Sequence, residues 1–250
     1  MNISVVIPAY NEEARIGESL TRIKEYLDNN LTKSDKYEII VVDDGSTDKT
    51  VDVVNRLSKP KNKSKADIHN IRILRNEINS GKGFSVKKGI ENSKYDLVLF
   101  TDADLATPIK ELGKMIKEIE NGYDIAIASR NLPGSDIAVI QPRYRQIMGK
   151  TFPLIAHALL IPNIKDSQCG FKLFKTEAAK QIVKLQRING YSFDVELLYI
   201  AQKLGFRIKE VPVKWIDKKG SKVDPLRDGF KMFIDLLKIR FNAFAHKYEP

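Results

Sequence analysis

Short β-branched runs alternate with segments of helical period through the first half of the chain. That alternation restricts the fold more than any other feature. A strand followed by a helix that returns the chain to the same sheet edge makes neighbouring strands parallel, so the pattern predicts an α/β fold with a mostly parallel sheet flanked by helices. Strands are expected at 3–8, 37–43, 71–75, 96–101 and 124–129. Between them Ile16, Leu20, Ile23 and Leu27 form one helical stripe, and Leu112, Met115, Ile116 and Ile119 another. Both read as core-facing. After Arg130 the alternation lapses through a loop containing Gly and Pro. A helix near 143–160, a strand at 171–175, helices at 176–186 and 192–204 and a strand at 208–215 follow. At 250 residues a single domain over 1–250 is expected, its second half, 131–250, reading as a substrate-side extension of the first, 1–130.

Chemistry concentrates where strands end. Asp96-Leu-Val-Leu-Phe-Thr-Asp-Ala-Asp104 sets Asp102 and Asp104 at the carboxyl end of a buried strand, the edge at which open α/β sheets bind ligands. Alternate residues of an extended segment point the same way, so both carboxylates can meet one hard divalent cation, Mg²⁺ or Mn²⁺, which in turn bridges to phosphate. In isolation an Asp-x-Asp pair is equally a polar strand exit. Two further strand ends add weight: Ile7-Pro-Ala-Tyr-Asn-Glu12 and Val41-Val-Asp-Asp-Gly-Ser-Thr-Asp48. The second turns at Gly45, with Ser46 or Thr47 expected to cap a helix, and leaves Asp43 and Asp44 available to a base or ribose.

Lys and Arg outnumber Asp and Glu by 42 to 32, and the net charge of +10 favours anionic partners such as nucleotides or lipid phosphates. Nucleic acid is not expected, because the basic residues do not interleave with aromatics in any recognisable module. The lysine-rich stretch 59–65 reads as a solvated loop. Lone Cys169 excludes an internal disulfide and suits a reducing, cytoplasmic setting; it reads as a small packing residue rather than a reactive thiol. The beginning of the chain has no basic n-region or long apolar h-region, so a secreted precursor is not expected. The longest nearly pure apolar stretch, Phe152 to Pro162, falls far short of the ~20 residues that span a bilayer. Membrane contact is therefore expected to be peripheral. Between Gly229 and His246, Lys231, Asp235, Lys238, Asn242 and His246 share a narrow polar arc opposite Phe230, Phe233, Ile234, Leu237, Phe241 and Phe244, with Met232, Leu236 and Ile239 widening the apolar side. So broad an apolar surface calls either for core burial plus a homodimer contact or for docking on a membrane surface.

Taken together, Val6-Ile-Pro-Ala-Tyr-Asn-Glu12, Val42-Asp-Asp-Gly-Ser-Thr-Asp48 and Thr101-Asp-Ala-Asp104 resemble the nucleotide-binding half of a family 2 glycosyltransferase with the GT-A, Rossmann-like fold. Within that family Asn79-Ser-Gly-Lys-Gly83, Ala128-Ser-Arg130, Asp166-Ser-Gln-Cys-Gly-Phe-Lys-Leu-Phe174, Ser192-Phe-Asp-Val-Glu-Leu-Leu-Tyr-Ile-Ala201 and Gly220-Ser-Lys222 look most like dolichyl-phosphate glucosyltransferases. Dolichyl-phosphate mannosyltransferases are the next most similar. The resemblance implies a UDP-sugar donor, a dolichyl or polyprenyl phosphate acceptor at the cytoplasmic face of a membrane, and transfer with inversion. GDP-mannose and UDP-N-acetylglucosamine stand as alternative donors, and a non-catalytic nucleotide-sugar-binding module as the alternative class.

Carried onto this sequence, the resemblance implies that Pro8, Tyr10, Glu12 and Asp43, with neighbouring Asp44, hold the nucleoside. Asp102 and Asp104 would hold the metal, with Ala103 beside the diphosphate. Arg130, Arg143 and Lys222 match places where related enzymes meet donor or acceptor phosphates, Arg145 being a substitute for Arg143, and Lys82, within the similar stretch Asn79–Gly83, is expected among the cofactor-binding residues. Asp194 and Glu196 could act as a base or orient sugar hydroxyls; two apart on a helix, they do not share a face, and the orienting role is preferred. The three histidines, His69, His157 and His246, lie outside every motif and read as structural. A phosphate acceptor with a second pKa of roughly 6 needs no such base.

Overall fold

The computed structural model describes residues 1–59, 70–138, 152, 155–218 and 225–249. Nine strands are seen among them: β1 (Asn2–Ala9), β2 (Lys36–Asp43), β3 (Ile71–Arg75), β4 (Leu97–Thr101), β5 (Ile125–Ser129), β6 (Asp136–Ile137), β7 (Phe171–Lys175), β8 (Ile208–Pro212) and β9 (Lys214–Trp215). Seven form one sheet in the order β3-β2-β1-β4-β7-β5-β8, while β6 and β9 pair apart from it. Only β7 runs against its sheet neighbours. The chain leaves β5 at the carboxyl edge and re-enters the sheet at that same edge, which forces the reversal. Because β2 and β3 extend from one side of β1 and β4 from the other, the topological switch point, where such sheets form their ligand crevice, falls at the carboxyl ends of β1 and β4.

Helices cover the faces: α1 (Ile16–Asn30), α2 (Thr50–Ser58), α3 (Lys82–Glu91), α4 (Leu112–Glu120), α5 (Thr176–Leu185), α6 (Phe193–Lys203) and α7 (Pro225–Phe244). Strand alternation divides the core cleanly. Val5 and Ile7 face a cluster completed by Ile16, Leu20, Ile23 and Leu27 of α1 and by Leu112 and Met115 of α4. Val6 faces the opposite cluster, with Val86 and Ile90 of α3, Ile182 of α5 and Leu236 and Ile239 of α7. Both expected stripes thus pack on the sheet, although Ile116 and Ile119 reach it only partly buried.

Two expectations need correction. The run 208–215 is not one strand: β8 ends at Pro212, which has no N–H to continue a ladder, and Lys214 and Trp215 pair with β6 instead. Ser46 and Thr47 do not cap α2, which begins only at Thr50; the Ser46 hydroxyl accepts from the Asn11 N–H and the Thr47 N–H donates to Asn11 Oδ1, tying the β1 exit to the β2 exit. In α7 the phenylalanines do not face the core. Met232, Leu236 and Ile239 are buried, whereas Phe230, Phe241 and Phe244 stand well out in solvent. Of the helix expected at 143–160, residues 155–159 are helical and 143–151 and 153–154 lie outside the described residues, as does most of the lysine-rich stretch.

Helix α3 packs tightly on β1: a Cβ on Gly89 would meet Val6 Cγ1 at 2.2 Å. Alanine at this position would gain about 1 kcal/mol in helix propensity. The overpacking costs about 1–3 kcal/mol, so Gly89→Ala is expected to lower stability on balance, read as a reduced midpoint in urea with an unchanged slope.

Candidate active site

Strands β1, β2, β4 and β5 end in Ala9, Asp43, Thr101 and Ser129, so the residues that follow them crowd one edge. Asp102 is fixed from two directions. Its N–H donates to the Gly170 carbonyl at 3.1 Å, and its Oδ1 pairs with Lys82 Nζ at 2.7 Å. Gly170 is required at this approach, since a Cβ there would lie 2.0 Å from Asp102 Oδ2. Asp104 accepts the Ala106 N–H at 3.0 Å and has Arg15 Nη1 at 3.9 Å. Burial, and then the charge of Asp102, raise its pKa above the usual carboxylate value. Two carboxylates that repel each other, one already holding an ammonium, make an edge that attracts cations.

That donor set suits a hard divalent ion. Among the described residues no group of three or more His, Cys, Asp or Glu could hold a metal. Asp102 and Asp104 would therefore hold an ion only with oxygens from a ligand or water completing its shell.

Lys82 owes its position to a loop that Asp44 anchors. Asp44 Oδ1 accepts from Asn76 Nδ2 at 2.7 Å and the Ser80 N–H at 2.9 Å, and Oδ2 accepts the Gly81 N–H at 2.9 Å. Asp44, expected to bind the nucleoside, has both oxygens committed to the start of α3. Burial alone would lower the Lys82 ammonium, but the charges of Asp102 and Asp194 hold it above the ordinary lysine value. The loop at 186–190 braces the same turn: Gly83 donates to the Asn189 carbonyl at 2.7 Å, and Gln186 Nε2 donates to the Gly83 carbonyl at 2.9 Å. Glu196 in turn accepts the N–H groups of Arg187 and Ile188, and Tyr248 donates its hydroxyl to Glu196 at 2.6 Å.

Across the crevice Arg130 is clamped by Asp166, its Nε and Nη2 donating to the two carboxylate oxygens at 2.7 and 2.8 Å and its own N–H adding a third bond at 2.8 Å. The guanidinium lies 5.4 Å from the Trp215 ring centroid. Burial by itself would raise the Asp166 pKa, yet Arg130 holds it below the usual carboxylate value. Behind this pair Lys172, wholly buried, bonds Asp194 at 2.5 Å and donates to the Cys169 carbonyl at 2.8 Å. Asp194 therefore does not open into the crevice as expected for a group that orients sugar hydroxyls; it is buried, and burial raises its pKa despite Lys172. Burial pushes the Cys169 thiol up to about 11, and its Sγ lies 3.4 Å from Thr107 Oγ1. It packs.

The nucleoside residues fall at the β1 and β2 ends. Tyr10 is exposed, Pro8 pairs in register with Val42, and Ala103 is buried, its carbonyl accepting from Ser19 Oγ at 2.6 Å. Glu12 takes a bidentate bond from Arg15, at 2.7 and 2.8 Å, which aims that arginine at Asp104. Asp43 is fully buried, and its Oδ2 receives no hydrogen bond although Arg75 Nε stands 3.5 Å away. Arg143, Arg145, Lys222 and His69 lie outside the described residues. His157 Nδ1 is 3.3 Å from the Ile164 carbonyl and His246 pairs with Glu249, both away from the crevice. Sequence reasoning missed Arg15, Arg75, Asp166 and Lys172 as site residues. Of these, Asp166 and Lys172 carried a signal, both lying in the stretch Asp166–Phe174 that resembles the family.

Sheet order, the reversed β7 and an acidic pair at the crevice define a glycosyltransferase of GT-A fold. The profile of glycosyl transferase family 2 matches residues 4–183, and the chain belongs to that family. It is 39% identical over 246 residues to dolichyl-phosphate beta-glucosyltransferase of Dictyostelium discoideum, covering 96% of this chain and 74% of that protein. The human protein of the same name is 34% identical over 246 residues, covering 95% and 74%. Among solved structures, glucosyl-3-phosphoglycerate synthase from Mycobacterium tuberculosis superposes with a TM-score of 0.70 at 20% identity, over 96% of this chain and 80% of that one. The same synthase has been crystallised with Mn²⁺ and UDP-glucose.

Replacing Asp166 by Asn leaves Arg130 without its partner. A fully buried pair loses 3–5 kcal/mol in this way; Arg130 keeps about a quarter of its side chain in water, so roughly 2–3 kcal/mol is expected. Because the folded pKa of Asp166 is depressed, its contribution is complete above the unfolded carboxylate value of ~3.9 and disappears as pH falls through the folded value. Wild-type and Asp166→Asn denaturation curves, separate at pH 7, should converge in acid below about pH 4. The Cys169 thiol should react with a disulfide reagent at pH 8 only at the rate of unfolding, measured by absorbance with and without urea.

Proposed function

We propose that the chain transfers glucose from UDP-glucose to dolichyl or another polyprenyl phosphate, inverting the anomeric centre, at the cytoplasmic face of a membrane. The single observation that carries this reading is the Asp102–Lys82 pair beside Asp104: carboxylates for a metal and an ammonium for a phosphate, joined at the mouth of one crevice. The names of the relatives supply the sugar and the acceptor. The lone buried Cys169 supports a reducing compartment. Among the described residues no helix is long and apolar enough to cross a membrane.

Asp102 and Asp104 would hold Mg²⁺ or Mn²⁺, which when bound neutralises charge developing on the departing diphosphate. Lys82 would then exchange Asp102 for a phosphate oxygen. Tyr10 presents its ring to the base, and Arg75 swings from Asp43 to free that carboxylate for the nucleoside. Asp44 acts through the loop that carries Lys82. Arg130, held rigid by Asp166 and Trp215, meets the acceptor phosphate, joined by Arg143 or Arg145 and by Lys222. Asp194 acts through Lys172 and Lys82 as a positioning residue. The acceptor phosphate, already ionised near neutral pH, attacks without a protein base. The nucleotide half, 1–130, and the acceptor half, 131–250, work as one unit through the shared sheet.

Purified protein with UDP-glucose, Mn²⁺ and a polyprenyl phosphate should form a lipid-linked glucose that is labile to mild acid. Asp104→Asn should lower kcat/KM by at least ~10²-fold, the loss expected when several kcal/mol of charge stabilisation is removed. Transfer to a soluble sugar or protein, but to no prenyl phosphate, would reject the lipid acceptor.

A further inference from the structure

The buried strip of α7 accounts for Met232, Leu236 and Ile239. It leaves a second apolar strip facing outward. Phe230 is 68% exposed, Phe241 64% and Phe244 84%, with Phe233 and Leu237 also exposed between them. Five large apolar side chains on one exposed helix face cost too much in contact with water to be incidental. Projection about the helix axis sets Arg240 on one flank of this strip and Lys238 and Lys231 on the other, all exposed. The two acidic residues of the helix, Asp228 and Asp235, lie beyond the lysines, toward the buried side. Past the helix end Lys247 Nζ sits 5.7 Å from the Phe241 ring centroid, extending the basic rim.

An aromatic strip bordered on both sides by cations is complementary to the headgroup and acyl boundary of a bilayer, with rings below the phosphates and cations level with them. A second copy of the chain fits less well. A two-fold contact across one helix would bring like cations together, and one helix face is small beside the ~1,200–2,000 Å² of a stable interface. A groove of about 570 Å³ between α7 and residues 187–190 adds depth on the lysine flank, with Ile234, Leu237 and Phe241 as its apolar wall and Arg187, Lys238 and Asp235, which pairs with Lys238 at 3.1 Å, as its charged groups. Its floor includes Asn189, whose carbonyl accepts the Gly83 N–H next to Lys82. A bilayer seated on this face would therefore lie beside the loop that braces the catalytic edge.

We propose that the exposed Phe230–Phe244 face of α7, with its flanking Arg240, Lys238 and Lys231, docks the enzyme on an anionic lipid bilayer. This inference rests on the lipid-acceptor reading, and its test separates the two. The full chain would be sedimented with vesicles of phosphatidylcholine alone and with about one-third phosphatidylserine, at low and high salt. Wild type should bind the anionic vesicles in a salt-sensitive manner. Phe241→Glu combined with Phe244→Glu should lower binding at least ~tenfold, because two rings leave the interface and two anions enter it. Lys231→Gln combined with Arg240→Gln should lower it about fivefold per cation on anionic vesicles and leave neutral ones unaffected. Both variants should keep the wild-type turnover of a short, water-soluble prenyl phosphate and lose turnover of a long-chain acceptor embedded in vesicles. Undiminished vesicle binding by the phenylalanine variant would overturn the docking face. So would a wild type that ignores vesicles but sediments as a dimer that this variant dissociates. Vesicle binding that depends on these residues, without transfer to any prenyl phosphate, would uphold the docking face and reject the lipid acceptor.

Discussion

Negative charge gathered on one sheet edge is the constraint around which the rest of the molecule is arranged. Two unit charges 4 Å apart repel by about 4 kcal/mol at the effective dielectric near a protein surface. A single hydrogen bond contributes only about 1 kcal/mol. Carboxylates so placed must be matched one by one: Asp166 by Arg130, Asp194 by Lys172, Asp102 by Lys82, and Asp44 by Asn76 and the backbone N–H groups of Ser80 and Gly81. Asp104 has Arg15 only at the limit of an ion pair, and burial, with the charge of Asp102 added, raises its pKa. The place where charge remains uncompensated is the place where a cation and a diphosphate would complete the edge.

The matching groups are themselves held by elements remote from the crevice. Lys82 depends on the turn at 79–83, that turn on the loop at 186–190, and that loop on Glu196, which Tyr248 reaches from the end of the described chain. Fixing a flexible lysine in one pose costs side-chain entropy on the order of 1–2 kcal/mol, and the hydrogen-bonded chain from Tyr248 inward offsets it. The two halves of the chain meet in this brace as well as in the sheet. The same loop lines the groove beside α7, so catalytic edge and outward aromatic face share one support.

How much of this was legible in the sequence differs from feature to feature. The stripe Ile16, Leu20, Ile23 and Leu27 foretold α1 and its buried face, because helix period and apolar spacing are local properties. The run ending at Asp104 foretold β4 and the edge at which its carboxylates lie. The reversal of β7 was not legible, since strand pattern carries no direction. Nor was the burial of Lys172, a charge inside an apolar strand whose partner Asp194 lies 22 positions away. In α7 the pattern showed that too much surface was apolar. Which strip faces the core depended on Leu236 and Ile239 meeting the sheet, a tertiary fact.

By itself the sequence determined the layered α/β architecture, the strand ends that carry Asp43, Asp102 and Asp104, and membership in a family with a nucleotide-sugar edge. Each follows from periodicity or from motifs a few residues long. The tertiary structure alone decided that Asp44 steadies a loop, that Arg130 is locked by Asp166, that Asp194 is buried behind Lys82, and that the phenylalanines of α7 look outward. These are long-range pairings, set by which charges and faces the folded sheet brings within a few ångströms, and no local pattern encodes them.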